Sequence, residues 1–184
     1  MVTSLPPIDI NGLMARYRRA KARRDRWQSL WQDCYDHTLP SRGNFTGEAS
    51  SGDRRSDRLY DGTAPDAVDQ LAASLLAQLT PPWSRWIGFG PGPDLPAVAA
   101  GDIRTLLDNV ATTLHSHLDR SNFAVEIHQC YLDLVIGGTA SLLVEEAAPG
   151  EPSVLRFTAV PLAETVLEEG GDAKLDTTYR RSRM

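Results

Sequence analysis

Four histidines, two cysteines, paired carboxylates, a glycine-rich segment and a run of arginines are the residues of this sequence that could carry chemistry. His115 and His117 lie two residues apart in a helical pattern, roughly 200° around the axis, so one face cannot offer both to a metal. His128 and Cys130 stand in the same relation, and the sequence contains neither an HExxH nor a paired CxxC spacing. With His37, the histidines read as surface or rim residues. Gly88-Phe89-Gly90-Pro91-Gly92-Pro93 is rich in glycine, but a phosphate loop needs free N–H groups and a helix opening directly behind it. Pro91 and Pro93 remove two donors, and no helical pattern opens before about residue 100, so the segment reads as a rigid connection. Glu145-Glu146 and Glu168-Glu169 are neighbours in strand patterns. Each pair therefore points to opposite faces and forms no catalytic dyad. No GxSxG elbow occurs. The sequence nominates no catalytic residue, no cofactor site and no metal site.

One electrostatic feature is sharp. Arg16, Arg18, Arg19, Lys21, Arg23, Arg24 and Arg26 crowd into a single helical segment. Within it, Arg16, Arg19, Arg23 and Arg26 are read as a possible electrostatic contact surface. Two readings stay open: contact with nucleic-acid phosphates or an acidic partner, and a solvated face paired with carboxylates of the same or a neighbouring subunit. Trp27, Trp31, Trp83 and Trp86 could serve as stacking platforms for bases. Trp27 and Trp31 fall at helical spacing beside leucines and read as core or interface anchors.

The elements that must position these residues follow from periodicity. After Pro6-Pro7, a long helix is expected from Asp9 or Asn11 to Thr38, stopped ahead of Pro40. Leu13, Tyr17, Ala20, Trp27, Trp31 and Cys34 form its seam, and only Arg24 breaks the series. Residues 41–62 are polar and non-periodic, a long loop. A second helix is expected over Ala64–Leu79, with Thr63 as N-cap and Pro81-Pro82 as stop. Trp83–Phe89 alternates as a short aromatic strand. A third helix covers Asp102–Arg120, and a fourth starts at Phe123 behind Ser121-Asn122 and ends at Gly137-Gly138. Four strands are then expected as a meander: Ala140–Glu146, Val154–Val160, Thr165–Glu168 and Leu175–Arg181, with turns at Pro149-Gly150 and Glu169–Asp172. The fold class is α+β, four helices followed by an antiparallel meander. Along the chain the organisation is an arm and basic helix over 1–40, a polar loop over 41–62, and a helical and β part over 63–184.

At 184 residues the chain suits one domain with a real core, and 41% hydrophobic with 23% charged residues excludes a disordered or low-complexity class. No apolar run reaches the ~18 residues of a membrane-crossing helix. Nor does the N-terminus show a basic region followed by an apolar block, so no signal peptide is expected. Two cysteines inside helical patterns support no disulfide framework. The net charge of −5 hides a split: residues 1–60 carry 11 Lys/Arg against 7 Asp/Glu, and residues 61–184 carry 8 against 17. The result is a basic helix on an acidic body rather than a globally basic nucleic-acid binder.

Two blocks resemble a known family. One runs from Asp61-Gly-Thr-Ala64 through Leu71-Ala-Ala-Ser-Leu-Leu-Ala-Gln-Leu-Thr-Pro-Pro-Trp83 to Trp86. The other holds Ser121-Asn122-Phe123, Tyr131-Leu-Asp-Leu134, Gly138-Thr-Ala140 and Leu142-Leu-Val-Glu-Glu146. It continues into Leu155-Arg-Phe157, Val160-Pro-Leu162 and Asp176-Thr-Thr-Tyr-Arg-Arg181. With Arg24, Trp27, Tyr35 and Leu39-Pro40, these resemble the portal, or head-to-tail connector, proteins of short-tailed tailed bacteriophages, in the family's order over about residues 15–184. The resemblance implies the N-terminal, outer-wing portion of a longer polypeptide, cut short at its C-terminus. It also implies a structural, non-enzymatic subunit of a homo-oligomeric ring, usually a dodecamer, with no cofactor. Implied partners are capsid and scaffolding proteins, the terminase large subunit, tail adaptor proteins and the double-stranded DNA passing through. No membrane is among them. The implied locations are the portal vertex of the virion and, during assembly, the host cytoplasm. The alternative reading is a small stand-alone nucleic-acid-binding protein using the basic helix Arg16–Arg26.

Overall fold

The computed structural model describes residues 9–43, 45, 59–92, 100–172 and 174–181. Among the described residues the fold is α+β, with five helices and two small antiparallel sheets. In chain order these are α1 (Ile10–Arg24), α2 (Gln28–Thr38), α3 (Thr63–Leu79), α4 (Ala100–Arg120) and α5 (Phe123–Gly137). The strands β1 (Ser141–Glu146), β2 (Leu155–Val160), β3 (Thr165–Glu169) and β4 (Leu175–Arg180) follow. Contacts divide the chain into two compact units, Met1–Asp61 with Pro161–Met184, and Gly62–Val160. The first unit therefore joins the N-terminal helices to the C-terminal hairpin, across the division read along the sequence. Most of the expected loop 41–62 lies outside the described residues.

The first unit corrects the expected single long helix. Asp9 caps α1, its carboxylate accepting from the Gly12 N–H at 3.0 Å. The helix then breaks over Asp25–Trp27, where the N–H groups of Arg26, Trp27 and Gln28 bond three residues back, to Arg23, Arg24 and Asp25. Such a 3-10-type turn is tighter than α geometry, so α2 starts with its apolar seam re-phased. That accounts for the fifth helix. The core of this unit gathers Ala20, Tyr35, Phe45, Leu162 and Val166, all buried. Phe45 lies 5.3 Å from the Tyr35 ring and 5.9 Å from Trp31.

The second unit is built around α5, which packs against α3, α4, β1 and β2. Cys130, Tyr131 and Leu132 of α5 are buried with Ala72 of α3, Ala111 and Leu118 of α4, and Phe157 and Ala159 of β2. Gly62 rather than Thr63 occupies the cap position of α3, and Thr63 is its first helical residue. Asn122 holds the cap position of α5 without capping it, and Ser121 Oγ accepts from the Phe123 N–H instead. The Asn122 amide is free to bracket the backbone of Phe157, donating to its carbonyl at 2.7 Å and accepting from its N–H at 3.0 Å. Glu126 accepts from the Ala159 N–H at 2.7 Å. Helix side chains thus satisfy the edge of β2 that no strand covers.

The expected strand at Trp83–Phe89 does not form: Trp83 and Ser84 lie in a turn, with the Ser84 N–H donating to the Pro81 carbonyl, and residues 85–89 pair with no strand among the described residues. The segment docks by side chains. Trp86 stacks on Phe123 (5.6 Å, 16°) and meets His115 edge-on, while Phe123 meets Phe157 edge-on at 5.0 Å. The Ile87 N–H donates to Nε2 of His115 at 3.2 Å. His115 is therefore a buried residue, 8% exposed, and not a rim histidine. On the opposite side of the segment, Arg85 pairs with Asp108 at 3.0 Å.

The expected meander is two separate hairpins. β1 pairs with β2, Ser141 opposite Val160 through Glu146 opposite Leu155. β3 pairs with β4, Thr165 opposite Arg180, with a register shift between Glu168 and Glu169. Between them Pro161 offers no N–H to a ladder, and a 3-10 turn at Leu162–Glu164 follows, tied by the Thr165 hydroxyl donating to the Pro161 carbonyl.

The glycine stop after α5 is present, and Gly138 alone performs it. Its φ is +71°, and its N–H closes on the Leu134 carbonyl at 2.9 Å. A Cβ there would meet nothing within 4 Å, so a substitution costs backbone strain alone. Gly138→Val is expected to lower stability by about 2 kcal/mol in urea unfolding. Gly138→Asn, which tolerates the left-handed region, should cost clearly less.

Candidate assembly surface

The basic segment sorts into residues the fold consumes and residues it leaves outward. Arg24, the residue that broke the seam, is buried in the first unit at 9% exposure. Its Nε donates to the Thr165 carbonyl at 2.8 Å, and one terminal nitrogen donates to the carbonyls of Leu162 and Ala163 at 3.1 and 2.9 Å. The guanidinium also lies 5.6 Å from the ring centres of both Trp31 and Phe45. Burial lowers its pKa from the ordinary arginine value, a carboxylate at Asp25 opposes that shift, and Arg181 adds to it. An arginine stays charged under these conditions. It acts as the pin between α1 and the start of β3.

Arg16 is the second consumed residue. It reaches both Glu168 and Asp176, at 3.0 and 2.6 Å, and donates to the Thr177 hydroxyl. Glu168 also accepts from the Tyr179 hydroxyl at 2.7 Å, and the Tyr179 ring meets Tyr17 edge-on. The Arg16 and Tyr179 hydrogen bonds hold the Glu168 carboxyl below its ordinary 4.5, and the same bond raises the Tyr179 hydroxyl. Glu168 therefore stabilises the first unit above about pH 4.5, and that contribution is lost as pH falls through its depressed folded value. The urea-midpoint gap between the native chain and Glu168→Gln should be present at pH 7 and close towards pH 3.

Arg18, Arg19, Arg23 and Arg26 remain exposed, and none forms an ion pair with a described residue. Arg19 and Arg23 are one turn apart on α1, and Arg26 follows in the turn. Beside them Trp27 and Leu30 are 56% and 52% exposed, whereas Trp31 is half-buried. Of the four arginines read as a contact surface, the structure leaves Arg19, Arg23 and Arg26 outward and turns Arg16 onto the β3–β4 hairpin. No local signal marks the Arg16 and Arg24 roles, because their partners lie 138 to 161 residues further along.

Elsewhere the described residues contain no group of His, Cys, Asp and Glu that could hold a metal, and no helix long and apolar enough to cross a membrane. Cys34 and Cys130 are not joined in a disulfide, and the Cys130 thiol donates to the Ser141 carbonyl. A cavity of about 420 Å³ lies among Trp83, Arg85, His115 and Arg120, and one of about 270 Å³ among Arg120, Asn122, Ser153 and Arg156. Neither brings a nucleophile and a base of its lining into hydrogen-bond reach of each other among the described residues.

Residues 11–184 match the family described as bacteriophage head to tail connecting protein. A probable portal protein of Bordetella phage BPP-1 is 27% identical over 170 residues, an alignment covering 91% of this chain and 30% of that protein. The chain thus spans under a third of the length of that relative. On the match over residues 11–184, the chain belongs to the bacteriophage head to tail connecting protein family.

Proposed function

We propose that this chain is part of a portal ring subunit. The observation that carries the reading is the family match over nearly the whole chain, supported by a relative described as a probable portal protein. In this reading copies close into a ring, expected to be a dodecamer, at one capsid vertex. Double-stranded DNA passes through it during packaging and ejection. Scaffolding and capsid proteins surround it, terminase docks on it, and tail adaptors follow. The subunit works by shape and contact and performs no reaction. Its place is the host cytoplasm during assembly and then the virion, with no membrane partner. Residues 63–184 contribute wing structure, residues 41–62 a polar loop, and residues 1–40 the basic helices whose outward arginines form a charged contact surface with Arg16 behind it.

Purified particles of the encoding phage test this. Peptides of the chain should be found in them by mass spectrometry, and an antibody against it should label one vertex of emptied heads. Absence from particles, or labelling spread over the shell, would contradict the reading.

A further inference from the structure

We propose that the outward basic face of α1 and its following turn docks onto the tip of the β1–β2 hairpin of a second copy of this chain. The proposal rests on the ring reading and adds to it the two surfaces that meet. One surface is Arg19, Arg23 and Arg26 with the exposed apolar side chains Trp27 and Leu30. The other is the end of the hairpin, which carries Glu145 and Glu146 on its opposite faces and Glu151 in the connecting turn, all exposed, with Val144 and Val154 exposed at 53% and 57%.

The charges are complementary in sign, although Arg19 also acts on Glu168 of its own chain without forming an ion pair with it. Neither the three arginines nor the three glutamates form an ion pair with a described residue. Glu145 is the more telling case. It stands directly across the ladder from Arg156, where an ion pair is the ordinary outcome, yet none forms between them. Some carboxylates elsewhere in the chain are drawn in, Glu168 by Arg16, Asp108 by Arg85 and Glu126 by the Ala159 N–H, while Asp69, Asp119 and Glu169 are left outward as these are. Between residues 121 and 155 the sequence has no lysine or arginine at all, so the hairpin tip keeps its negative field. A closed ring needs two different patches, each meeting its complement on the next subunit. These two lie on different units of the chain and match in sign and in apolar content. Charged residues flanking an exposed aromatic anchor are also the ordinary composition of an interface.

A charge swap tests the pairing. The protein would be prepared unaltered, as Arg19→Glu/Arg23→Glu, as Glu145→Lys/Glu146→Lys, and with all four changes together. Circular dichroism would check folding, and sedimentation with negative-stain imaging would read assembly. Each double reversal is expected to lower the ring-to-monomer ratio roughly tenfold or more, because like charges then face each other. The fourfold variant, with the signs exchanged, should restore it. Raised salt should weaken the native ring and the swapped ring alike. Rings unaffected by either reversal, or a fourfold variant no better than the doubles, would overturn the pairing while leaving the ring reading intact. An unaltered protein that forms no rings would overturn both.

Discussion

Replacing Arg24 by alanine is expected to destabilise the first unit by about 3–4 kcal/mol. The guanidinium gives three hydrogen bonds to the carbonyls of Leu162, Ala163 and Thr165, and Leu162 and Thr165 are buried. A hydrogen bond to a charged group contributes about 1.5–3 kcal/mol net, and a carbonyl stranded without a partner costs about 1–3 kcal/mol. The gain from no longer burying the charge offsets part of that sum. Truncation also opens a void beside Trp31 and Phe45, whose rings the guanidinium covers. Arg24→Lys keeps the charge but loses the planar fork, so it should recover only part of the loss. Urea unfolding followed by tryptophan fluorescence measures both variants. An Arg24→Ala midpoint within error of the native one would refute the pin.

Gly43→Ala is expected to cost about 3 kcal/mol, for a different reason. A Cβ on Gly43 would fall 2.3 Å from the Cβ of Tyr35 and 3.0 Å from its Cγ. Tyr35 is 1% exposed and sits at the centre of the first unit, so it cannot swing aside as a surface side chain would. Overpacking of this kind usually costs about 1–3 kcal/mol, and the stem of a fixed aromatic puts it at the upper end. The backbone beyond Gly43 must also keep its place, because Gln32 holds it from α2, donating to the Gly43 carbonyl and accepting from the Phe45 N–H. Gly43→Ala should therefore detach Phe45 from Tyr35 and Trp31, visible as increased quenching of tryptophan fluorescence by iodide. Unchanged quenching and an unchanged urea midpoint would contradict the close approach.

The two residues behind these effects show what was legible in the sequence. Helix periodicity gave α3, α4 and α5 with their ends to within about two residues, and glycine chemistry gave the stop at Gly138 and the turn at Gly150. These signals are local, so a single chain carries them. Arg24 read as a flaw in an apolar seam because the carbonyls that justify it lie 138 to 141 residues downstream. Gly43 sat in a stretch read only as polar loop, and nothing there announced the approach to Tyr35. Alternation at Trp83–Phe89 mimicked a strand, but alternation records which side chains turn inward, not whether a neighbouring strand exists. In the fold, Trp86 turns inward, onto Phe123 and His115. At the candidate surface the crowding of arginines was plain, while their division into pins and outward charges needed the β3–β4 hairpin in place.

That division also bears on the stand-alone nucleic-acid reading. Arg16 and Arg24 are committed to the hairpin and Lys21 pairs with Asp25, so the phosphate-facing charge of the segment falls to Arg18, Arg19, Arg23 and Arg26. A DNA affinity resting on four arginines should weaken steeply with salt. A ring-forming subunit needs no such affinity in its monomeric state.

Negative-stain imaging of the purified protein, paired with duplex-DNA binding across a salt series, tests the central claim most directly. Membership of a ring is the expected result: closed particles of uniform diameter with a central opening, and weak DNA binding by the unassembled subunit. A protein that stays monomeric at every concentration and binds duplex DNA with a steep salt dependence would contradict the portal reading.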